Sequence, residues 1–374
     1  MIKLNIGNLI DLRNIIQGKK IYCFGAGKNL DDTLKNCNDS LINKSINAIV
    51  DNNEKIWGSK RECRGRKIEV ISPAKLCEVI EKESSVILIT NYKNSNEIIE
   101  QLDNYPSLND VPVFISELLF VKNLKRKEFV FREKEGEELI PRVIHYCWFG
   151  GKKIPEKHEK YIESWKRHCP DYEIKRWDES NYNIEKNRYA YEAYENKAWA
   201  FVSDYARIDI VHKYGGIYLD CDVELLKPID PFLKNKFFCG FENQNAVNLG
   251  LGFGSVKGHN YLKNLLELYD KLTFVADNGD LNMTPCPVYQ TRVIRKFGVV
   301  PNNSYQETKD ISVFPSEVFS PFSFFWGTTE ITENTFSIHH FGATWHTDEE
   351  KDRIKIAQDR RRKIMNRYKM QEVK

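Results

Sequence analysis

Two carboxylates stand two residues apart in Asp220-Cys221-Asp222, directly after the apolar triplet Ile217-Tyr218-Leu219. On an extended chain, residues i and i+2 point to one side, so the pair suits a single divalent cation held against a phosphate. Carboxylates at the end of a buried strand are costly unless they have a partner, and a cation is the obvious one. Just upstream, Trp199 to Val211 is apolar on most sides and reads as a core helix, yet it carries Asp204 and Arg207 three residues apart on one face. That spacing fits either an ion pair within a crowded helix or two groups aimed at a polar ligand beside the metal. Gly215-Gly216 supplies the left-handed stop and lets the backbone pack closely where the strand begins.

The whole pattern is Ser203-Asp204-x-x-Arg207, a spacer, then Tyr214-Gly215-Gly216-x-Tyr218-x-Asp220-x-Asp222. It resembles the signature of the family 32 glycosyltransferases, sugar transferases of capsule and cell-surface glycan synthesis. It is also similar to the catalytic domain of the large clostridial glucosylating toxins. The resemblance implies a GT-A nucleotide-diphospho-sugar transferase fold. It further implies transfer, with retention of configuration, of a hexose or N-acetylhexosamine from a nucleotide diphosphate sugar, UDP first, to a glycan or lipid-linked glycan.

Read by itself, Trp148 is a core residue of the apolar strand before Gly150-Gly151; set against His145-x-x-Trp148-x-Gly150-Gly151, the resemblance makes it the residue that stacks on the base. The resemblance also turns Asn248 toward the transferred sugar and draws a metal ligand and a diphosphate-contacting tryptophan, Trp345, from the C-terminal segment FSIHHFGATWH. By its spacing to Trp345, His340 is the expected ligand, with His339 on the opposite face of the strand. Asp222 and His340 then bind the cation directly, and Asp220 bridges metal, ribose and sugar. Asp204 and Arg207 orient sugar hydroxyls, and Tyr218 lines the same pocket. An imidazole among carboxylate and phosphate oxygens favours Mn(II), with Mg(II) the alternative.

No carboxylate nucleophile is apparent, and a front-face displacement in which the leaving phosphate takes the acceptor proton needs none. Asp220 and Asp222 are too close in sequence to face each other across a sugar as the carboxyls of a glycoside hydrolase. A non-catalytic sugar-nucleotide sensor and a toxin-like protein glucosyltransferase remain as alternatives.

The elements that must position these residues make an α/β pattern. At 374 residues the chain exceeds the size at which one core keeps growing, so two domains are expected. Residues 1–122 alternate short apolar strands with helical patterns, which argues a parallel sheet with covering helices, and the stretch Val50 to Leu76 resembles the small Rossmann-like domain found beside sugar-modifying enzymes and sugar acyltransferases. Gly25-Ala26-Gly27 and Asp51 form half of a dinucleotide fingerprint, but Leu30 stands where a third glycine is required. Residues 123–139 are charged and read as a linker, 140–346 as the GT-A domain, and 347–374 as a basic helix. Within the second domain Trp177-Asp178 reads as structural, and the glycines at 250, 252, 254 and 258 lack the Gly-Lys-Ser/Thr ending of a phosphate loop.

A net charge of +3 is too mild to argue for nucleic acid as a partner. The nine cysteines sit in apolar stretches without metal spacing and read as reduced core residues. The start MIKLNIGNLIDLRN lacks a signal-peptide pattern and no run of 18 apolar residues occurs, so a cytoplasmic location is expected. The terminal cluster Arg360-Arg361-Arg362-Lys363 reads as part of a solvated helix packed through Ile354, Ile364 and Tyr368. Peripheral attraction to anionic lipid at the inner face of the membrane is the alternative.

Overall fold

The computed structural model describes residues 1–5, 7–119, 129–242, 246–323, 325–342 and 347–372. The fold is α/β, and the chain divides into two compact units, Met1–Arg126 with Arg353–Lys374, and Lys127–Asp352.

The first unit is built on seven strands: β1 (Lys3–Asn5), β2 (Lys20–Phe24), β3 (Ile46–Val50), β4 (Lys60–Cys63), β5 (Arg66–Ile71), β6 (Ser85–Ile89) and β7 (Pro112–Ile115). Their order is β1-β7-β6-β2-β3-β5-β4, parallel except for the β4/β5 hairpin. The sequence explains this directly. β6 is buried along its whole length, as a strand covered on both faces must be, and the helices between strands supply that cover. The helices Lys28–Cys37, Pro73–Val79 and Ser95–Asp103 fall where the alternating pattern requires them.

The strand order reverses at β2, and there a cleft of about 240 Å³ is lined by Gly25, Gly27, Lys28, Asn29, Asp51, Thr90 and Asn91. Asp51 holds the turn: its carboxylate accepts the Ala26 N–H at 2.7 Å and the Asn53 N–H at 2.9 Å.

The final helix, Asp348–Glu372, adds its distal part to this first unit. Ile364 is fully buried. Arg360 and Arg361 both pair with Glu117, the former at 2.8 Å, while Arg367 pairs with Asp103 and Arg362 with Asp359. Three arginines of the basic cluster are therefore matched by carboxylates, which leaves less free positive charge for a lipid surface than the bare sequence suggests. Among the described residues no helix is long and apolar enough to cross a membrane.

The second unit contains β8 (Val143–Cys147), β9 (Glu173–Trp177), β10 (Gly216–Tyr218), β11 (Val223–Leu225), β12 (Phe237–Gly240), β13 (Phe253–Ser255), β14 (Gln306–Glu307), β15 (Ser312–Phe314), a small ribbon of β16 (Phe322–Ser323) and β17 (Thr328–Thr329), and β18 (Ser337–His339). Seven of them form a mixed sheet in the order β14-β15-β12-β13-β10-β8-β9, and β11 pairs separately with β18. Hydrophobic cores cover both faces.

The helix Trp199–Tyr214 lies in one of these cores with Val202, Ala206, Ile208 and Val211 fully buried, which is why its sequence is apolar nearly all round. It ends at Gly215 (φ +73°), and Gly216 (φ +101°) opens β10 so close to its neighbour that a Cβ would lie 2.8 Å from the Val143 carbonyl oxygen. The glycine run after Asn248 serves packing in the same way. A Cβ on Gly254 would meet the Phe238 ring at 2.3 Å, which supports the reading that this run is no phosphate loop. Trp177 is buried and its indole N–H donates to His145 Nδ1 at 3.2 Å, a structural role.

Candidate active site

The two acidic residues do not lie on an extended strand. β10 stops at Tyr218, and the following residues make a turn closed by the Val223 N–H on the Asp220 carbonyl at 3.0 Å. Their convergence has another origin. β11 leaves the turn and pairs antiparallel with β18, and the register sets Val223 opposite His339. His339 Nε2 thereby comes to 3.2 Å from Asp222 Oδ1 and 3.9 Å from Asp220 Oδ2. One ligand atom from each of Asp220, Asp222 and His339 falls within 4.8 Å of the others, a donor set of two carboxylates and one imidazole that fits a divalent cation.

The expected ligand His340 is corrected by this geometry. It lies past the end of β18, its backbone N–H donates to the Asp222 carbonyl at 3.0 Å, and its side chain turns away. There Nε2 sits 2.9 Å from Glu224 Oε2 and the ring stacks on Tyr161 at 4.3 Å. Adjacent strand residues face opposite ways, so a shift of one position exchanges the two histidines. Trp345 lies outside the described residues.

Around Asp220 the structure brings together Asp204, Arg207, Tyr218 and Asn248. Its Oδ1 accepts the Tyr218 O–H at 3.0 Å and an Arg207 N–H at 3.1 Å. The same guanidinium nitrogen lies 3.1 Å from Asp204 Oδ1, and the guanidinium sits 5.2 Å from the centre of the Tyr218 ring. Asp204 and Arg207 therefore form the intrahelical ion pair, and through Arg207 that pair reaches the acidic turn.

Asn248 joins through Gly250. A Cβ there would lie 2.4 Å from Asp220 Oδ2, 3.0 Å from Asn248 Oδ1 and 3.2 Å from Arg207 Nη1. Trp148 is half-buried at the end of β8, with its indole N–H donating to the Lys152 carbonyl at 2.6 Å.

The electrostatics follow from burial set against partners. Burial would raise the Asp222 carboxyl, but the adjacent His339 charge, its hydrogen bond and the Gly342 N–H at 2.7 Å hold it well below the usual carboxylate range. Burial would lower the His339 imidazole, but Asp222 and Asp220 outweigh it and raise it to about 10. Asp204 is raised, chiefly by burial and only partly offset by Arg207. Arg207, 4% exposed, is disfavoured as a cation by burial, yet Asp220 and Asp204 lift its pKa further and keep it charged.

Four residues at this site escaped the sequence reading. Cys286, at the start of the helix Cys286–Ile294, places Sγ 3.8 Å from Arg207 Nη1. Glu242 accepts the Asn248 amide at 3.2 Å, and burial raises its carboxyl. Gly342 closes over Asp222, and His158 faces that glycine. Only His158, as a polar residue early in an amphipathic helix, carried any sequence signal, and it reads there as ordinary.

Residues 155–238 match the family model described as a glycosyltransferase sugar-binding region containing a DXD motif. Over 110 residues the chain is 34% identical to inositol phosphoceramide mannosyltransferase 1 of Schizosaccharomyces pombe, covering 27% of this chain and 34% of that protein. Over 192 residues it is 28% identical to the uncharacterized glycosyltransferase L373 of Acanthamoeba polyphaga mimivirus, covering 49% and 74% respectively. The match thus spans about a third of the length of the yeast relative. Among solved structures, a glycosyltransferase involved in glycosylation of the major capsid of PBCV-1 overlays with a TM-score of 0.34 at 14% identity, covering 57% of this chain and 98% of that one.

Proposed function

We propose that this chain is a metal-dependent glycosyltransferase of the GT-A kind that moves a hexose or N-acetylhexosamine from a nucleoside diphosphate sugar to a glycan or lipid-linked glycan. The observation that carries the reading is the meeting of Asp220, Asp222 and His339 beside the buried Asp204/Arg207 pair, inside a segment of DXD type.

Asp220, Asp222 and His339 would hold the cation, which when bound neutralises the diphosphate charge that accumulates as the glycosidic bond breaks. Asp220 is fixed by Tyr218 and Arg207, so its free oxygen keeps one orientation. Arg207, locked between Asp204 and Asp220, and Asn248 beside Gly250 present donors to sugar hydroxyls at defined places, and such positioning lowers the barrier. Trp148 offers an aromatic face to the base. Transfer with retention, through front-face displacement, uses no further carboxylate from the chain.

Mn(II) is the preferred ion because one donor is an imidazole nitrogen. The relative named as an inositol phosphoceramide mannosyltransferase adds mannose to the candidate sugars and a lipid-borne acceptor to the candidate acceptors. The nine free cysteines suit a reducing compartment, and we place the reaction in the cytoplasm.

The test is incubation with a panel of UDP- and GDP-sugars plus Mn(II), reading the nucleotide released by slow hydrolysis. Release from one nucleotide class, lost on chelation, is expected; tight binding without any release would favour the sugar-nucleotide sensor.

The same panel checks a structural prediction. Gly250→Ala puts a methyl group 2.4 Å from Asp220 Oδ2 without straining the backbone. It is expected to fold normally and to lose about tenfold or more in kcat/KM through displaced donor-binding groups. Unchanged kinetics would count against a donor at this place.

A further inference from the structure

Four histidines are buried among the described residues, and three have their ring nitrogens engaged by the protein. His145 meets the Gly215 carbonyl and the Trp177 indole; His259 meets the Asp310 carbonyl and the Tyr261 N–H; His339 meets Asp222 and the Phe341 N–H. His158 is the exception. It is 8% exposed, its ring makes no hydrogen bond to the described residues, and Nδ1 is buried without any partner.

A buried imidazole left this way is costly and calls for an explanation. Its position supplies one. His158 is the third residue of the helix Glu156–His168, with the Trp148 ring edge-on at 5.8 Å on one side. On the other side Nε2 faces Gly342: a Cβ there would be 3.4 Å from Nε2 and 3.3 Å from Asp222 Oδ2. Gly342 has no side chain, and the imidazole and the Asp222 carboxylate, which accepts the Gly342 N–H at 2.7 Å, flank this one glycine. Resting on the function proposed above, a donor with its base at Trp148 and its cation at Asp222 must pass its ribose and diphosphate between them.

We infer that His158 is a donor-binding residue, whose imidazole hydrogen-bonds the diphosphate of a nucleoside diphosphate sugar between Trp148 and Asp222. Among the described residues no hydrogen bond holds the ring, which packs between Trp148 and Tyr161, and Nε2, the nitrogen toward Gly342, is the one the ligand engages. The role is binding, distinct from holding the cation, which Asp220, Asp222 and His339 would do.

The test uses the full chain with Mn(II), titrated calorimetrically with UDP and GDP, with uridine and guanosine followed by ligand-observed NMR and Mn(II) binding by the EPR signal of the free ion. His158→Ala is expected to weaken binding of the preferred nucleoside diphosphate about tenfold, as for loss of one hydrogen bond to a charged group. Mn(II) binding and nucleoside binding should change clearly less than diphosphate binding, because His158 reaches them only through its contact with Trp148 and its charge interaction with Asp222. His158→Gln keeps a donor of similar reach and should recover part of the loss, which guards against a variant that merely packs badly.

Wild-type affinity for the diphosphate in His158→Ala overturns the inference, as does an equal loss for nucleoside and diphosphate. If the wild-type protein with Mn(II) binds neither UDP nor GDP, the proposed function itself falls, and the inference with it.

Discussion

Asp222→Asn is expected to abolish sugar transfer, lowering turnover by about a thousandfold or more, while leaving the protein folded. Asp222 is the cleanest position at which to make this test. Among the described residues its carboxylate bonds His339 and the Gly342 N–H, and an amide of the same shape can still accept the latter. Asp220 is a poorer choice, because its loss would strip partners from Tyr218 and Arg207 in the buried pair. The variant removes the carboxylate charge opposite His339 and leaves a neutral amide where the proposed cation would be held. Mn(II) binding by EPR should weaken in parallel with turnover, and circular dichroism should be unchanged. Retained transfer on adding Mn(II) would remove Asp222 from the metal site.

The second large effect concerns pH. In the metal-free protein the His339 imidazole is raised to about 10, so at neutral pH it carries a proton that a cation must displace. Asp222 is held well below the usual carboxylate range and needs no deprotonation there. Apparent Mn(II) affinity should therefore rise about tenfold per pH unit from pH 6 to 9, with release of about one proton per ion. A titration in two buffers of different ionisation enthalpy counts that proton. His339→Gln should bind Mn(II) more weakly and without the slope. An affinity independent of pH in the wild-type protein would place the ion elsewhere.

Stability should move the opposite way when no metal is present. A raised folded-state pKa contributes stability that is fully present below the ordinary histidine value of 6.5 and is lost as pH rises through about 10. Metal-free protein should thus lose thermal stability across that window. Added Mn(II) should offset the loss most at its alkaline end, where the proton no longer competes.

Much of this site was legible because its parts are close in sequence. Asp204, Arg207, Tyr218, Asp220 and Asp222 span 19 positions, and a helix, a glycine stop, a short strand and the turn after it gather them. The α/β class was legible for the same reason: apolar runs such as Ser85–Ile89, separated by helical patterns, dictate covered parallel strands. The short β1 and the β4/β5 hairpin went unread, since brief polar-flanked strands carry little periodic signal.

The choice between His339 and His340 was not legible. Both stand in one short apolar segment, and their facing depends on the pairing of β18 with β11, residues more than a hundred positions away. His158, Glu242 and Cys286 were hidden likewise, each ordinary in its own segment and placed at the site by packing alone.

The sequence by itself determined the α/β pattern, the neighbourhood of the two acidic residues and the charged pair on the helix above them, because local spacing and burial decide these. The tertiary structure alone decided which histidine completes the acidic pair and which buried imidazole is left without a partner. Strand register and the approach of distant segments are collective outcomes of folding, and no single stretch of residues carries them.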